Sequence, residues 1–177
     1  VIDFNLNSID FRRHFEEELG QISIWDKIFL KENRQDVESR LYKVIKSKSF
    51  LDSYKLLLDF LINSVSQQYE YQAIPSLRIQ LPGDKAAVFH IDSFTGHGRD
   101  LINFWLPITD IEDSNTLWIV DKQNTQRILQ TLAVSDNVTV SSLDAEARKS
   151  STPCLPKYGE ILIFSNKTLH GCVTNLS

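Results

Sequence analysis

Apolar residues recur at helical spacing through the first third of the chain and alternate in short runs through the remainder. Ile9, Phe11, Phe15 and Leu19 share one helical face, with Ser8 as a candidate N-cap, Gly20 as a stop and Glu16-Glu17-Glu18 on the solvated side. Val37, Leu41, Val44 and Ile45 predict a second helix over Asn33–Lys46. A third is predicted over Ser49–Gln67, with Leu51, Tyr54, Leu57, Leu58, Leu61 and Val65 on one face. Such stripes are expected to pack against a sheet. Their polar faces mix acidic and basic side chains, which disfavours lying on a membrane surface.

From Gln68 the texture becomes strand-like. Short apolar runs at Tyr71–Ile74, Leu77–Leu81, Ala86–Ile91, Leu101–Ile108, Leu117–Val120, Val138–Val140 and Ile161–Phe164 are separated by turn residues. Pro82-Gly83-Asp84 is a tight-turn signal. The stretch Asn124–Ser151 is polar; Gln126–Leu132 can form a short helix, and the rest is expected to be a mobile insertion over the site. Helices followed by strands give an α+β chain. We expect one domain over 1–177, with 1–67 as helical support and 68–177 as the β core.

Composition narrows the function classes. At 177 residues the chain is long enough for one sizeable core. A net charge of -4 gives no basic footprint for nucleic acid. The longest apolar runs, such as Ile161–Phe164, are far too short to span a bilayer, and no secretory signal opens the chain. Two cysteines, Cys154 and Cys172, make no disulfide framework and fit a reducing cytosol. Cys172 lies close to His170 and reads either as an inert buried thiol or as a site-lining residue. With Val1 first and no Met present, we expect the chain to be part of a longer gene product.

The chemistry gathers at His90-Ile91-Asp92 and at His170-Gly171. Residues two apart on an extended segment point to the same face, so His90 and Asp92 can share a ligand. His170, arriving from a distant strand, would complete two imidazoles and one carboxylate. That set leaves three adjacent positions open on an octahedral metal, the arrangement of non-haem Fe(II) oxygenases. Each residue also has a plainer role: His90 as a hydrogen-bonded strand end, Asp92 as the opener of the Ser93-Phe94-Thr95-Gly96 turn, and His170 bonded to a loop carbonyl. Of the remaining histidines, His14 falls on a helix as a surface residue and His97 in the loop Gly96-His97-Gly98-Arg99.

From Leu77 to Ser177 the chain resembles Fe(II)/2-oxoglutarate-dependent dioxygenases, closest to the phytanoyl-hydroxylase-like group and to oxygenases of carbohydrate and antibiotic gene clusters. The resemblance rests on several pieces in order. These are the HxD segment, the Trp105 strand ending in Leu106-Pro107-Ile108-Thr109-Asp110, Asn115–Val120, the turn Pro156-Lys157-Tyr158-Gly159-Glu160, and His170-Gly171. It implies a double-stranded β-helix (a cupin-like jelly roll) with N-terminal supporting helices, acting as a hydroxylase of aliphatic C–H bonds. Fe(II), 2-oxoglutarate as co-substrate, and O2 are then implied, with His90, Asp92 and His170 as metal ligands. An Asp at position 92 argues against halogenation, because halogenating relatives carry a small residue there.

The resemblance also implies a polar residue at Gln80 holding the co-substrate, and an Arg on a last core strand. Val173–Ser177 looks like the lead-in to that strand, so we expect the Arg beyond Ser177. Asn103 and Trp105 share parity on one strand and either face the co-substrate pocket or pack in the core. His97 and Arg99 would offer a donor and a positive charge to substrate, although Arg99 could equally pair with Asp100 or Asp113. Arg78 either meets an acidic substrate or pairs with Glu70 or Asp84. The expected partner is a small polar metabolite, sugar-related or a biosynthetic intermediate; no nucleic acid or membrane is expected, and oligomeric state is not legible. Two other readings stay open: a cupin-type metal enzyme that does not use 2-oxoglutarate, and a non-catalytic jelly-roll binding domain.

Overall fold

The structure is a computed structural model that describes residues 2–3, 9–63, 70–94, 101–134 and 139–177. Two compact units divide the chain: Asn5–Ile79, and Gln80–Ser177 together with Val1–Phe4.

The first unit is helical. α1 spans Phe11–Leu19, α2 Trp25–Lys31, α3 Arg34–Lys46 and α4 Lys48–Asn63. Asp10 caps α1, its side chain accepting from the Arg13 N–H, whereas Ser8 lies outside the described residues. Asn33 caps α3 by accepting from Gln35 N–H, and the helix runs over the predicted span. α2 was hidden in the sequence because its seven residues bury only Trp25. Within this unit the apolar stripes pack helix on helix: α1 meets α3 and α4, and α3 meets α4. Phe50, outside the predicted stripe, sits at the centre. Its ring lies 5.2 Å from Phe11 and 5.7 Å from Phe15, while Phe15 reaches Trp25 at 6.3 Å. His14 is half-buried instead of lying on the surface, bonded through Nε2 to Ser53 Oγ at 2.9 Å.

The second unit holds two three-stranded antiparallel sheets. In the first, β1 (Ile2–Asp3) and β2 (Ile102–Trp105) flank β5 (Glu160–Ser165); in the other, β4 (Ser151–Pro153) and β6 (His170–Cys172) flank β3 (Leu117–Val120). The chain is therefore a mixture of helix and small antiparallel sheets. Their apolar faces meet: Leu117, Leu162 and Cys172 are buried together, with Trp105, Ile119 and Phe164 against them. On the opposite face of β3, Phe89, Ile91, Val120, Ile128, Ala147 and Leu169 form a second core. Side-chain alternation along each strand sorts residues between these two cores.

Among the described residues several predicted strands are absent, for local reasons. Tyr71–Ile74 is exposed and gains no burial to hold it extended. In Leu77–Leu81, Leu77 O accepts from Tyr42 Oη and Leu81 N–H donates to Asp84 Oδ2, so side chains take backbone groups that a ladder would use. Ala86–Ile91 contributes one antiparallel bridge, His90 to His170; beyond it Cys172 N–H reaches Ala87 O at 3.3 Å, one residue out of register, and on the side away from β6 Phe89 N–H donates to the Asp144 carboxylate. Val140 opens a helix, with Thr139 and Ser142 forming a reciprocal cap. Leu81-Pro82-Gly83-Asp84 is a turn, as expected, closed by Asp84 N–H to Leu81 O at 2.9 Å with Gly83 at φ 83°. Val173–Ser177 continues into no strand. Instead, Asn175 exchanges backbone hydrogen bonds with Gly83 and Asp84.

The polar stretch expected to be mobile is two packed helices, α5 (Lys122–Ala133) and α6 (Val140–Ser150). Ile128 and Ala147 are buried, so the two helices are part of the core; residues 135–138 between them lie outside the described residues. Among the described residues no helix is long and apolar enough to cross a membrane.

Candidate metal centre

Two segments deliver the site. His90 and Asp92 come from the segment beside β6, His170 from β6 itself. The bridge between them is two-sided: His90 N–H donates to His170 O at 2.9 Å, and His170 N–H to His90 O at 3.0 Å. Facing residues in such a hydrogen-bonded pair put their side chains on the same face of the sheet. The imidazole centroids are accordingly 4.5 Å apart. Asp92 starts a short 3-10 turn, closed by Phe94 N–H to Ile91 O, which brings its carboxylate round to both rings.

Asp92 Oδ1 lies 3.4 Å from His90 Nε2 and 3.7 Å from His170 Nε2. One ligand atom from each of the three residues lies within 4.8 Å of the others. Donors bound at about 2.1 Å and at right angles stand about 3 Å apart, so the carboxylate–imidazole edges need only a small contraction. Each ring is oriented by its far nitrogen: His90 Nδ1 bonds Val88 O and His170 Nδ1 bonds Thr168 O, both at 2.9 Å. A carbonyl only accepts, so each Nδ1 carries a proton, and Nε2 is the nitrogen turned to the shared space where it could bind a metal. His170 thus does bond a loop carbonyl, and that bond aims its other nitrogen at Asp92. The donor set suits a first-row divalent ion. Side-chain exposure falls from 34% at His90 to 15% at Asp92 and 9% at His170, so the site opens on the His90 side.

Two neighbours went unread in the sequence. A Cβ on Gly171 would stand 2.8 Å from the Phe89 ring and 3.0 Å from Phe89 Cα, so only glycine permits the close approach that aligns His90 with His170. Phe164 sets its ring edge-on to His170 at 5.0 Å. The His-Gly pair was the visible signal for the first; nothing in the sequence marks the second.

The other predicted site residues are distributed as follows. Asn103 faces inward on β2 and donates from Nδ2 to Asp92 Oδ2 at 2.6 Å. Trp105, on the same face, packs with Leu117, Leu162 and Cys172. Gln80 donates from Nε2 to Val173 O at 2.8 Å. Arg78 is exposed and belongs to the helical unit. His97 and Arg99 lie outside the described residues. Both cysteines are free thiols; Cys172 is a buried core residue, and burial pushes the Cys154 thiol up to about 11, so it stays protonated at neutral pH.

Comparison with known proteins agrees with this chemistry. The family model for phytanoyl-CoA dioxygenase (PhyH) matches residues 8–177, and the chain belongs to that family. Family members are Fe(II)/2-oxoglutarate-dependent dioxygenases. Among curated proteins the chain is similar to the streptomycin biosynthesis protein StrG of Streptomyces griseus, 24% identical over 164 residues. That alignment covers 90% of this chain and 66% of the relative, so the chain spans just under two thirds of its relative's length. No solved structure matches the chain.

Proposed function

We propose that this protein is an Fe(II)- and 2-oxoglutarate-dependent oxygenase that hydroxylates an aliphatic C–H bond of a small polar metabolite. The observation that carries the reading is the convergence of Asp92 Oδ1 on two imidazole Nε2 atoms, each ring fixed by a backbone carbonyl. His90, Asp92 and His170 would hold the metal. Bound Fe(II), with 2-oxoglutarate and O2, supplies the oxidant as the co-substrate goes to succinate and CO2. The chain's own part is to fix the three donors on one side, leave the other side open, and shield the inner wall with Phe164, Trp105 and Leu162.

A cupin-like jelly roll is the architecture we propose for the second unit, supported by two antiparallel sheets whose apolar faces meet. The name of the relative supports a biosynthetic intermediate as substrate, and a sugar-related one is our proposal. Free Cys154 and Cys172 suit a reducing compartment, the cytosol.

The direct test is succinate formation by the full-length gene product given Fe(II), 2-oxoglutarate and air, where slow uncoupled turnover is expected even without the true substrate. Asp92→Ala should abolish it. Absence of both succinate formation and calorimetric binding of 2-oxoglutarate to the Mn(II)-loaded protein would defeat this reading.

A further inference from the structure

Asp92 decides how many coordination positions stay open. A carboxylate whose two oxygens are equally available can bind a divalent ion through one or both. On an octahedral ion two imidazoles and one carboxylate oxygen leave three positions, enough for a two-oxygen co-substrate and O2 together. A second carboxylate oxygen leaves two, and one of those ligands is then shut out.

The two oxygens of Asp92 are not equivalent here. Oδ1 faces both Nε2 atoms, at 3.4 and 3.7 Å. Oδ2 accepts from Asn103 Nδ2 at 2.6 Å, a short hydrogen bond to a charged acceptor. Asn103 is itself held on β2, in register with Phe164 of β5, whose ring rests against His170. One cross-strand pair therefore touches two of the three candidate ligands. The geometry points to Asn103 as a positioning residue that holds Asp92 to one-oxygen ligation and so keeps three adjacent positions open. This rests on the metal site proposed above. Turning Oδ2 toward the ion would break the Asn103 bond and leave a half-buried amide donor without its acceptor.

The test compares wild type with Asn103→Ala and Asn103→Leu, the latter keeping roughly the side-chain volume without a donor. Each protein is checked for fold by far-UV circular dichroism and thermal midpoint. Each is then titrated with Co(II), followed by visible absorption, and the Co(II)-loaded protein is titrated calorimetrically with 2-oxoglutarate. We expect folded variants whose Co(II) bands differ from wild type, reporting a changed coordination, and whose 2-oxoglutarate affinity falls about 10-fold, the lower end of what loss of an outer partner does to metal affinity or activity. A merely structural role would lower the thermal midpoint while leaving the Co(II) bands and the co-substrate affinity as in wild type; that result overturns the assignment. Failure of wild type to bind Co(II) is a different outcome: it defeats the metal reading itself, and the role of Asn103 with it.

Discussion

The helical unit and the site-bearing unit are held together by different kinds of contact. In Asn5–Ile79 the buried groups are aromatic and aliphatic, gathered around Phe50, and ion pairs such as Arg13–Glu17 and Lys48–Asp52 lie one turn apart on exposed helix faces. In Gln80–Ser177 the defining contacts cross long stretches of sequence and are often polar. Asn103 reaches Asp92, Asp144 reaches Phe89 N–H, and Asn175 reaches the Pro82 turn. Damage to the first unit should therefore read out as lost stability, and damage to the second as lost site geometry.

The largest stability effect should come from Phe50→Ala. Emptying the centre of the aromatic cluster should cost about 3–5 kcal/mol, measured by denaturant unfolding. Co(II) binding at a temperature where the variant remains folded should be unchanged; its loss there would break the contrast. Gly171→Ala comes next. The new methyl meets Phe89 backbone as well as ring, and such overpacking costs about 1–3 kcal/mol. It also pushes apart the two segments that carry His90 and His170, so metal affinity should drop together with stability. Unchanged metal affinity would show that the bridge between the two histidines is not what aligns them.

The smallest effect sharpens the contrast through pH. Burial raises the Asp144 carboxyl, but hydrogen bonds from Arg148 and Phe89 N–H, with the Arg148 charge, outweigh it and hold the group below the usual carboxylate range. A depressed folded value means its stabilisation is complete above the unfolded carboxylate pKa of about 4 and fades as pH falls through the folded one. Asp144→Asn should therefore destabilise at neutral pH, and its gap from wild type should narrow in acid. A gap independent of pH would remove the charge from the account.

Local periodicity carried the helices of the first unit, because α3 and α4 declare their buried faces at three- and four-residue spacing. α5 and α6 were mostly unreadable because part of what they bury looks polar: Thr125 is 4% exposed, its hydroxyl donating to Val120 O. The strands misled wherever backbone groups found side-chain partners, as at Leu77 and Leu81. At the site, the spacing of His90 and Asp92 and the lone His170-Gly171 pair were legible. The inward parity of Asn103 was legible too. Its carboxylate partner was not, since no periodicity links a strand residue to the turn before it. Phe164 acquires its place against His170 only from sheet register.

The carbonyls that orient the two imidazoles have a consequence for how this site can change over generations. Val88 O and Thr168 O belong to the main chain. Almost any amino acid at 88 or 168 would offer the same acceptor, and Val88, 46% exposed, has little packing to constrain its identity. No single codon change at either position deletes the group that aims a histidine. Asp92 Oδ2, by contrast, accepts from a side chain, Asn103 Nδ2, which a codon change can remove. The carboxylate arm of the site is where one nucleotide substitution can alter the chemistry while both histidines keep pointing the same way.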